Sequence, residues 1–388
     1  MPAKKLRHLT FILHRILGFA IGLIAILVSL TGSLIVFQRE INEFQQHQQF
    51  GAIFPKGDAY GNPKWERFSL EVILDIVKAA YANLPEMALQ RVYFPTKPDD
   101  FFNVVISIQG SDWVEVYVNP YTGAILGNSL HPNAVQHFLQ IVYELHTSLK
   151  LGDLGLKILG VVGLVMCIVV ITGIILWPGW RKLMAGFKIK WDAHPKRLNF
   201  DLHKVSGITA AIFLLFTFFT GFAWNLGYVD PLIRAITFSP SLPELVLSVP
   251  LAGQSPLPLS QQIKTAQLAL PDGTLRSIDL TTDPKAPLRL RMKLPQEREE
   301  YGMSNVYLDQ YSGQVLRVDN SLKASLGDKI LNSFQPLHFG TFGGLPTRIL
   351  YIFVGLAPLI LFITGFVMWW YRKRKQKDAY SQKQSYIN

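Results

Sequence analysis

Apolar residues are concentrated in four long runs, and the segments between them mix apolar and polar residues at much shorter range. A helix needs roughly 20 predominantly apolar residues to cross the hydrocarbon core of a bilayer. All four runs meet that requirement, so the pattern predicts four transmembrane helices. The runs are Ile16–Phe37, Ile158–Trp177, Val205–Val229 and Ile349–Tyr371.

The second half of the chain repeats the spacing of the first half. A histidine and a Thr-Gly pair accompany each run, separated by 17 residues at the first and third runs and by 26 at the second and fourth. The combinations are His14 with Thr31-Gly32, His203 with Thr220-Gly221, His146 with Thr172-Gly173, and His338 with Thr364-Gly365. This repeat predicts a tandem duplication with two spans per copy, so both copies enter the membrane in the same orientation.

The segments between the spans of each copy also match. Val116–Gly123 and Val306–Gly313 each show a strand, a turn and a glycine that supplies the positive φ of the turn. Ahead of the first lies Ser69–Asn83, whose apolar spacing predicts a helix with one buried face. We therefore expect each copy to carry a small α+β domain of about 100 residues, a helix on a short antiparallel sheet.

These patterns define the expected domain organisation. The segments are a tail and first span (1–37), a first soluble domain (38–133), an interfacial segment with the second span (134–177), a loop (178–203), the third span (204–229), a second soluble domain (230–330), an interfacial segment with the fourth span (331–371), and a tail (372–388). The predicted fold class is an α-helical membrane protein, a four-helix bundle with two α+β domains outside the cytoplasm.

The net charge of +11 is unevenly distributed. Segments 1–10, 178–200 and 372–388 hold 15 of the 38 Lys and Arg residues and only 2 of the 27 Asp and Glu residues. They lie on one side of a four-span protein, and the positive-inside rule assigns that side to the cytoplasm. Because this explains the basic segments as topology signals, no nucleic-acid partner is expected. The first span lacks a cleavage site and continues into polar residues, so we expect a permanent anchor.

The single cysteine, Cys167, limits the cofactor chemistry. One thiol excludes disulfides within the chain, thiolate metal clusters and the covalent attachment of c-type haem. Cys167 lies in the middle of the second run, where we expect it to be a small core residue.

The histidines form two symmetric pairs. A two-fold relation between the copies places His14 and His203 at one depth near the cytoplasmic face, and His146 and His338 at one depth near the outer face. Haem iron has axial positions on opposite sides of a flat ring, and two histidines saturate it for electron transfer. Two such haems would form an electron path across the bilayer.

Glycine positions agree with this hypothesis. Gly18 and Gly207 lie one helical turn after His14 and His203, where a side chain would collide with a bound ring. Gly32 shares the face of His14 about 27 Å further along the helix, near the level expected for the other pair. His146 and His338 precede their apolar runs by 12 and 11 residues. A straight helix would lift them about 17 Å out of the membrane, so we expect a break after each, with 134–149 lying along the interface.

Other interpretations of these residues remain open. The histidines could form a divalent metal site or purely structural hydrogen bonds, and the Thr-Gly pairs are more typical of helix packing than of haem contact. Arg15 and Lys204 follow their histidines and suit either haem propionates or the membrane interface. The remaining histidines have no counterpart in the other copy and are left out, although His137 is an alternative to His146. They are His8, His47, His131, His137 and His194.

With Leu13-His14-Arg15-x-x-Gly18 and Leu202-His203-Lys204-x-x-Gly207 in place, nearly the whole chain resembles the PepSY-associated transmembrane-helix family. The resemblance implies two b-type haems, periplasmic PepSY-like domains in a bacterial inner membrane protein, and release of iron by reduction of a ferric siderophore. The protein would then be a membrane oxidoreductase. The ligand assignment to His14, His203, His146 and His338 is our own transfer from the repeat.

Some members carry a fused flavin and nicotinamide domain, and no G-x-G-x-x-G in a strand–turn–helix context is found here. The expected donor is therefore external, a membrane quinol or a cytoplasmic flavoprotein. One alternative is a PepSY-domain binding or regulatory membrane protein without redox chemistry, which would be colourless. Another is a transporter, which the absence of Asp, Glu, Lys and Arg from the central portions of the spans disfavours.

Overall fold

A computed structural model of the chain describes residues 3–51, 67–97, 99–109, 112–130, 132–241, 246–250, 253–297, 299 and 301–385. The helices are α1 (Ala3–Ile35), α2 (Gln38–Phe50), α3 (Leu70–Ala80), α4 (Ala134–Ser148), α5 (Gly152–Leu176), α6 (Leu183–Phe187), α7 (Pro195–Leu226), α8 (Val229–Ile236), α9 (Leu259–Ala269), α10 (Leu326–Phe339) and α11 (Leu345–Ser385). The strands are β1 (Ala88–Tyr93), β2 (Phe102–Ile108), β3 (Asp112–Val118), β4 (Ile125–Asn128), β5 (Thr274–Asp279), β6 (Leu288–Lys293), β7 (Ser304–Leu308) and β8 (Val315–Asp319).

The chain divides into two compact units. The helix unit comprises Met1–Arg39, Phe138–Thr237 and Ile330–Asn388, and the sheet unit comprises Glu40–His137 and Phe238–Lys329. Each unit draws on both halves of the chain. The sequence pattern anticipated one soluble domain per half, whereas the strands of both halves here belong to a single unit.

Four helices of the helix unit, α1, α5, α7 and α11, are long and apolar enough to cross a membrane among the described residues. They contain or overlap the four runs found in the sequence, and they extend past the apolar residues, so α1 already begins at Ala3. At the other end, α7 stops at Leu226, short of the expected Val229. Gly227 caps it with a φ of 68°, a left-handed conformation that glycine adopts without steric cost.

The four long helices form a bundle in which α1 and α7 each pack against both α5 and α11. Small residues allow these contacts, as is usual for membrane helices. A Cβ added to Gly163 of α5 would lie 2.7 Å from the Phe218 carbonyl of α7, and one on Gly355 of α11 would lie 2.8 Å from the Ser29 carbonyl of α1. Helices α1 and α7, which carry His14 and His203, therefore occupy diagonal positions in the bundle.

The helix direction breaks before α5 and before α11, as the sequence predicted. Leu149, Lys150 and Gly152 have positive φ angles of 52°, 58° and 54°. The second break is made by Gly340 and Gly344, with φ angles of 71° and 69°. There, the Tyr351 hydroxyl donates a hydrogen bond of 2.5 Å to the Leu337 carbonyl, fastening the end of α10 to α11. These breaks allow α4 and α10 to return to the bundle.

The sheet unit contains one eight-stranded antiparallel sheet in the order β4-β3-β2-β1-β5-β6-β7-β8. The two halves contribute four strands each, and they join where β1 pairs with β5 through Val92 and Ile278. Helices α3 and α9 cover one face, which forms the apolar core. Its largest buried side chains include Ile73, Ile106, Ile278, Leu290, Met292 and Leu308.

The predicted local elements of the sheet unit are present. Helix α3 begins after Ser69, whose hydroxyl accepts a hydrogen bond from the Val72 N–H. The β3–β4 and β7–β8 turns place Gly123 and Gly313 at φ angles of 70° and 72°. Buried Asn119 and Asp309 accept the backbone N–H bonds inside those turns, which explains why the same short motif occurs in both halves.

Candidate functional site

The first histidine pair, His14 and His203, lies between diagonal helices of the bundle. The two ring centres are 6.1 Å apart and the ring planes meet at 85°. The second histidine pair, His146 and His338, has the same centre-to-centre distance of 6.1 Å, with an interplanar angle of 62°. The structure thus brings together all four site histidines chosen from the sequence, in the two pairs expected.

Each ring of the first pair is held through Nδ1. The His14 Nδ1 bonds to the Val169 carbonyl at 3.0 Å and to the Thr172 hydroxyl at 3.1 Å. The His203 Nδ1 lies 2.9 Å from the Thr364 hydroxyl. Both threonines belong to Thr-Gly pairs of the neighbouring long helix.

The second pair is held in the same way. The His146 Nδ1 bonds to the Val28 carbonyl at 2.8 Å, with the Thr31 hydroxyl at 3.4 Å. The His338 Nδ1 lies 2.7 Å from the Thr220 hydroxyl. Every one of the four Thr-Gly threonines therefore orients one site histidine.

These bonds fix the tautomer of each ring. The four threonine hydroxyls donate their protons to carbonyls one turn earlier on their own helices, so their oxygens accept from imidazole. Backbone carbonyls also accept only. Nδ1 is therefore the protonated nitrogen, and no described residue forms a hydrogen bond with Nε2 of any of the four rings. A histidine in that state presents a lone pair on Nε2, as a metal ligand must.

The glycine of each Thr-Gly pair lies against a histidine ring. A Cβ on Gly32 would approach the His146 ring to 2.8 Å, and one on Gly173 would approach the His14 ring to 3.2 Å. The sequence favoured helix packing for these pairs, and the structure gives them a more specific task. The small residue admits the ring, and the threonine beside it binds the ring nitrogen.

The ring separation suits one metal ion between each pair. Two imidazoles bound through Nε2 at about 2.0–2.1 Å per bond, on opposite sides of an ion, place their ring centres about 6 Å apart. Zinc sites usually need three or four protein ligands. Within the described part of the chain, no group of three or more His, Cys, Asp or Glu residues could hold a metal. A flat macrocycle that brings its own four nitrogen ligands therefore fits the donor set better than a bare divalent ion.

The first pair opens into a cavity of about 660 Å³. This volume lies within the range of small-molecule and cofactor sites. Gly18 and Gly207 both line it, and a Cβ on Gly18 would meet nothing within 4 Å. The predicted space is therefore open beside Gly18, whereas a Cβ on Gly207 would lie 3.4 Å from the Leu361 side chain. Most of the remaining wall is apolar or aromatic, including Phe11, Phe19, Phe362 and Trp369.

Basic residues at the cavity include Lys4, Arg7, Arg15 and Arg372. Arg15 is one of the two cations expected to bind a cofactor carboxylate, and its position at the cavity agrees with that role. Lys204, the other cation, also lines the cavity, but its ammonium lies 2.7 Å from Asp201 and donates a 2.8 Å hydrogen bond to the Ala185 carbonyl. A cofactor carboxylate at Lys204 would therefore share the ammonium with Asp201, and this half of the cofactor-binding prediction stays a prediction.

The buried ion pair of Lys204 fastens the loop between α5 and α7. Asp201 is fully buried, binds Arg197 at 3.1 Å and accepts a hydrogen bond from the Lys190 backbone N–H. A fully buried carboxylate requires such partners, because burying an unpaired ion in a protein interior costs on the order of several kcal/mol. Sequence reasoning missed Asp201, although its position three residues before Lys204 is a usual helical ion-pair spacing.

Burial affects the rings of the second pair directly. It lowers the pKa of His146, and burial followed by the facing charge of His146 lowers the pKa of His338 to about 3. Both rings are therefore neutral near pH 7, the form in which imidazole binds a metal.

The other histidines lie elsewhere. His137 is exposed on α4, so His146 is the member of that helix that reaches the pair. His194 caps α7, accepting from the Lys196 N–H, and His47 contacts Phe101 in the sheet unit. His8 lines the cavity of the first pair without a ring partner in α7. His131 lies outside the described residues.

Four apolar helices, an α+β sheet unit and two facing histidine pairs define a multi-pass membrane protein that contacts the lipid bilayer. The chain belongs to the PepSY-associated TM region family, whose sequence profile matches residues 11–372. It is also similar to an uncharacterized protein of Pseudomonas aeruginosa, with 26% identity over 270 residues. That match covers 62% of this chain and 65% of the relative, so the chain spans about two thirds of the relative's length.

Proposed function

We propose that this protein is a transmembrane electron carrier with two b-type haems that reduces a ferric siderophore or similar chelate so that iron is released. The observation that carries the proposal is the repeated geometry of the two pairs. Both have ring centres 6.1 Å apart, and all four rings are bonded at Nδ1 and unbonded at Nε2 among the described residues.

The residues have distinct roles in this proposal. His14 and His203 would hold one haem, and His146 and His338 the other. A haem held by two histidines would supply one-electron transfer without binding oxygen. The threonine hydroxyls and backbone carbonyls keep the imidazoles oriented, and the apolar bundle excludes water. Between the pairs lie small and apolar core residues, including Ala25, Met166, Cys167, Leu214 and Phe218.

The direction of transfer follows from charge. Basic segments at both termini and between α5 and α7 suit a cytoplasmic location, which leaves the sheet unit on the periplasmic side of a bacterial inner membrane. In this arrangement the two halves are copies of one unit, each with a span on either side of a PepSY-like segment. Electrons enter near His14 and His203 and leave near His146 and His338.

The overall reaction balances with an external donor. Each ferric chelate gains one electron and becomes a ferrous chelate, which binds iron more weakly. A quinol that loses two electrons and two protons would serve two ferric ions, and a reduced cytoplasmic flavoprotein would serve equally. The protein contributes orientation and electrostatics, while the bound cofactor carries the redox change.

The experiment is a reduced-minus-oxidised visible spectrum of the purified protein with haem quantified per chain. We expect low-spin b-haem bands and about two haems per chain. His14→Ala and His203→Ala should each remove the same one haem, and the double variant should lose no more than either. His137→Ala, an exposed histidine on the helix of His146, is the matched control and should keep both. A colourless protein after expression with adequate haem would refute the proposal.

The regulatory alternative is separated by the same measurement. A PepSY-domain binding protein without redox chemistry predicts no haem bands and no effect of the histidine substitutions on colour. Two imidazole pairs with the same ring separation and with hydrogen bonds only at Nδ1 favour the haem proposal over this alternative, since a purely structural histidine gains nothing from a buried nitrogen without a partner.

A further inference from the structure

The sheet face opposite α3 and α9 differs in charge between the two halves of the chain. Strand β6 directs Arg289, Arg291 and Lys293 to this face, while Leu288, Leu290 and Met292 point into the core. The register of the sheet shows which positions of the two halves are equivalent. Leu288 of β6 pairs with Leu308 of β7, just as Phe102 of β2 pairs with Val118 of β3. The residues of β2 at the equivalent positions are neutral; they are Asn103, Val105 and Ser107.

The neutral half is also covered. Phe50 of α2 packs on Tyr117, with ring centres 5.5 Å apart, and Phe101 joins the same cluster. On the basic half, the side chains of Arg289 and Arg317 remain 30% and 24% exposed. The four arginines on this face are each partly exposed. We call the set Arg91, Arg289, Arg291 and Arg317 the arginine face.

The arginine face has more positive than negative charge. Asp279 is shared, because it forms an ion pair with Arg91 and lies 3.3 Å from Arg289. Arg317 pairs with Asp319 at 3.0 Å. Arg291 forms no ion pair with any described carboxylate, and its buried Nε has no hydrogen-bond partner among the described residues.

Arg291 is therefore an under-compensated cation in a half-buried place. Burial, and next the neighbouring charge of Arg289, lower its pKa from the usual value for arginine. A desolvated cation surrounded by like charges is destabilising unless an anion is brought to it. A half-buried arginine without an ion pair is therefore better explained by binding of an anionic ligand than by a structural role.

Aromatic rings lie among these arginines. The guanidinium of Arg317 lies 4.1 Å from the ring centre of Tyr307, and that of Arg91 lies 5.7 Å from the ring centre of Tyr93. Tyr93 and Tyr301 form an edge-to-face pair with centres 5.8 Å apart. Guanidinium groups bind planar oxyanions with two parallel hydrogen bonds, and tyrosine rings pack on flat aryl groups.

We propose that the arginine face binds the iron chelate itself and selects anionic aryl chelates, of the catecholate or phenolate class, over neutral hydroxamates. This inference rests on the proposed function, because it names the class of acceptor that the protein reduces. The arginines supply charge and paired donors for the chelating oxygens, and the tyrosines supply apolar contact with the aryl rings.

The test measures binding to the full-length protein in nanodiscs of zwitterionic lipid. The probe is the Ga(III) complex of a hexadentate tris-catecholate, a trianion that cannot be reduced, compared with the neutral Ga(III) complex of a hexadentate trihydroxamate. Variants are Arg291→Gln and Arg289→Gln, with Lys264→Gln as the matched control. Lys264 is an exposed cation on α9, against the opposite face of the sheet, so its loss changes net charge equally.

We expect the trianion to bind more tightly than the neutral complex and to lose about tenfold or more in affinity in each arginine variant, the effect of removing a hydrogen bond to a charged group. Lys264→Gln should bind like the wild type, and the wild-type affinity should fall as salt rises. Arg291→Gln removes an unpaired cation and should fold normally. Arg289→Gln is a second test variant. It should also fold normally, because Asp279 keeps its ion pair with Arg91.

Equal affinity for both complexes, or equal trianion binding by all four proteins, would overturn the inference. Haem content and reduction of the matching Fe(III) complexes are measured on the same preparations. Suppose that haem is present and the Fe(III) complexes are reduced while both arginine variants bind the trianion with the affinity of the wild type. In that case only the assignment of this face fails. If haem is absent, the proposed function fails instead, whatever the gallium result.

Discussion

The first and second histidine pairs share a ring separation of 6.1 Å, but the chain builds them in different ways. His14 and His203 lie within the long helices α1 and α7, whose periodicity alone determines which residues share a face. His146 and His338 lie near the ends of α4 and α10, which reach the bundle only through breaks after them. The same ring separation therefore depends on local helical order in one pair and on tertiary structure in the other.

The comparison teaches that the orientation of the imidazole rings is set by the threonines rather than by the helices that carry the histidines. Thr172 and Thr364 serve the first pair, and Thr31 and Thr220 serve the second. All four are at most 6% exposed. Because their hydroxyls are supplied by the long helices in both cases, the rigid bundle sets the position of every ring.

The largest expected effect tests the first pair alone. Gly18→Leu fills the space beside His14, where a Cβ meets no atom within 4 Å, so the chain should fold normally and gain up to about 1 kcal/mol of helix propensity. We expect the variant to lose one of two haems per chain, measured by haem quantification alongside thermal stability. Ala20→Leu, on an exposed position of the same helix, is the control. If Gly18→Leu retains both haems, the cavity is not the cofactor site.

An intermediate effect should be specific to the second pair. Gly340→Ala imposes a side chain at a φ of 71°, costing about 1–2 kcal/mol, and its Cβ would lie 2.7 Å from the Tyr351 ring. Gly152→Ala, at a φ of 54° with nothing within 4 Å of the Cβ, carries the backbone cost alone and is the control. We expect Gly340→Ala to lose more haem than Gly152→Ala.

The genetic background identifies which haem is lost. Combined with His14→Ala, Gly340→Ala should remove most of the haem that remains. Combined with His338→Ala, it should have little further effect, because the second site is already empty of haem. Equal losses in both backgrounds would mean that the break supports the whole bundle and that the two pairs are not built independently.

Sequence reasoning succeeded where helical periodicity is sufficient. It selected the four spans, the four histidines and the open space beside Gly18, and it placed Gly32 at the level of the second pair. It expected breaks before α5 and α11, although Leu149 and Lys150 take left-handed conformations that no sequence rule assigns to them. Their backbone N–H groups bond within the end of α4, Leu149 to the Leu145 carbonyl and Lys150 to the Glu144 carbonyl.

The features that sequence reasoning missed depend on contacts between distant segments. Strands β1 and β5 are separated by some 180 residues, and nothing in either strand indicates that they pair to join the two halves into one sheet. The bond from Lys204 to the Ala185 carbonyl likewise required the folded loop, whereas the ion pair of Lys204 with Asp201 has an ordinary helical spacing. The Thr-Gly pairs were visible in the sequence, but their partners lie 115 to 161 residues away.

The smallest expected effect compares the two pairs through their threonines. Thr220→Val removes a hydroxyl 2.7 Å from the His338 Nδ1 with little change in shape, and Thr172→Val removes one that lies further away, 3.1 Å from the His14 Nδ1. Each ring keeps a backbone carbonyl partner, that of Thr217 for His338 and that of Val169 for His14. Loss of such a supporting hydrogen bond lowers metal affinity by about 10- to 100-fold and shifts the redox potential. We therefore expect Thr220→Val to shift the midpoint potential of one haem more than Thr172→Val shifts that of the other.

Spectroelectrochemical titration of the α band resolves these shifts while both haems stay bound. Thr209→Val is the control, because the Thr209 hydroxyl lies on the same helix as Thr220 and bonds only to carbonyls of that helix. Unchanged potentials in Thr220→Val would show that the threonine acts only as a packing residue. An equal shift in Thr172→Val would mean that the shorter bond from Thr220 has no greater effect, and the two pairs would then be electronically alike despite their different construction.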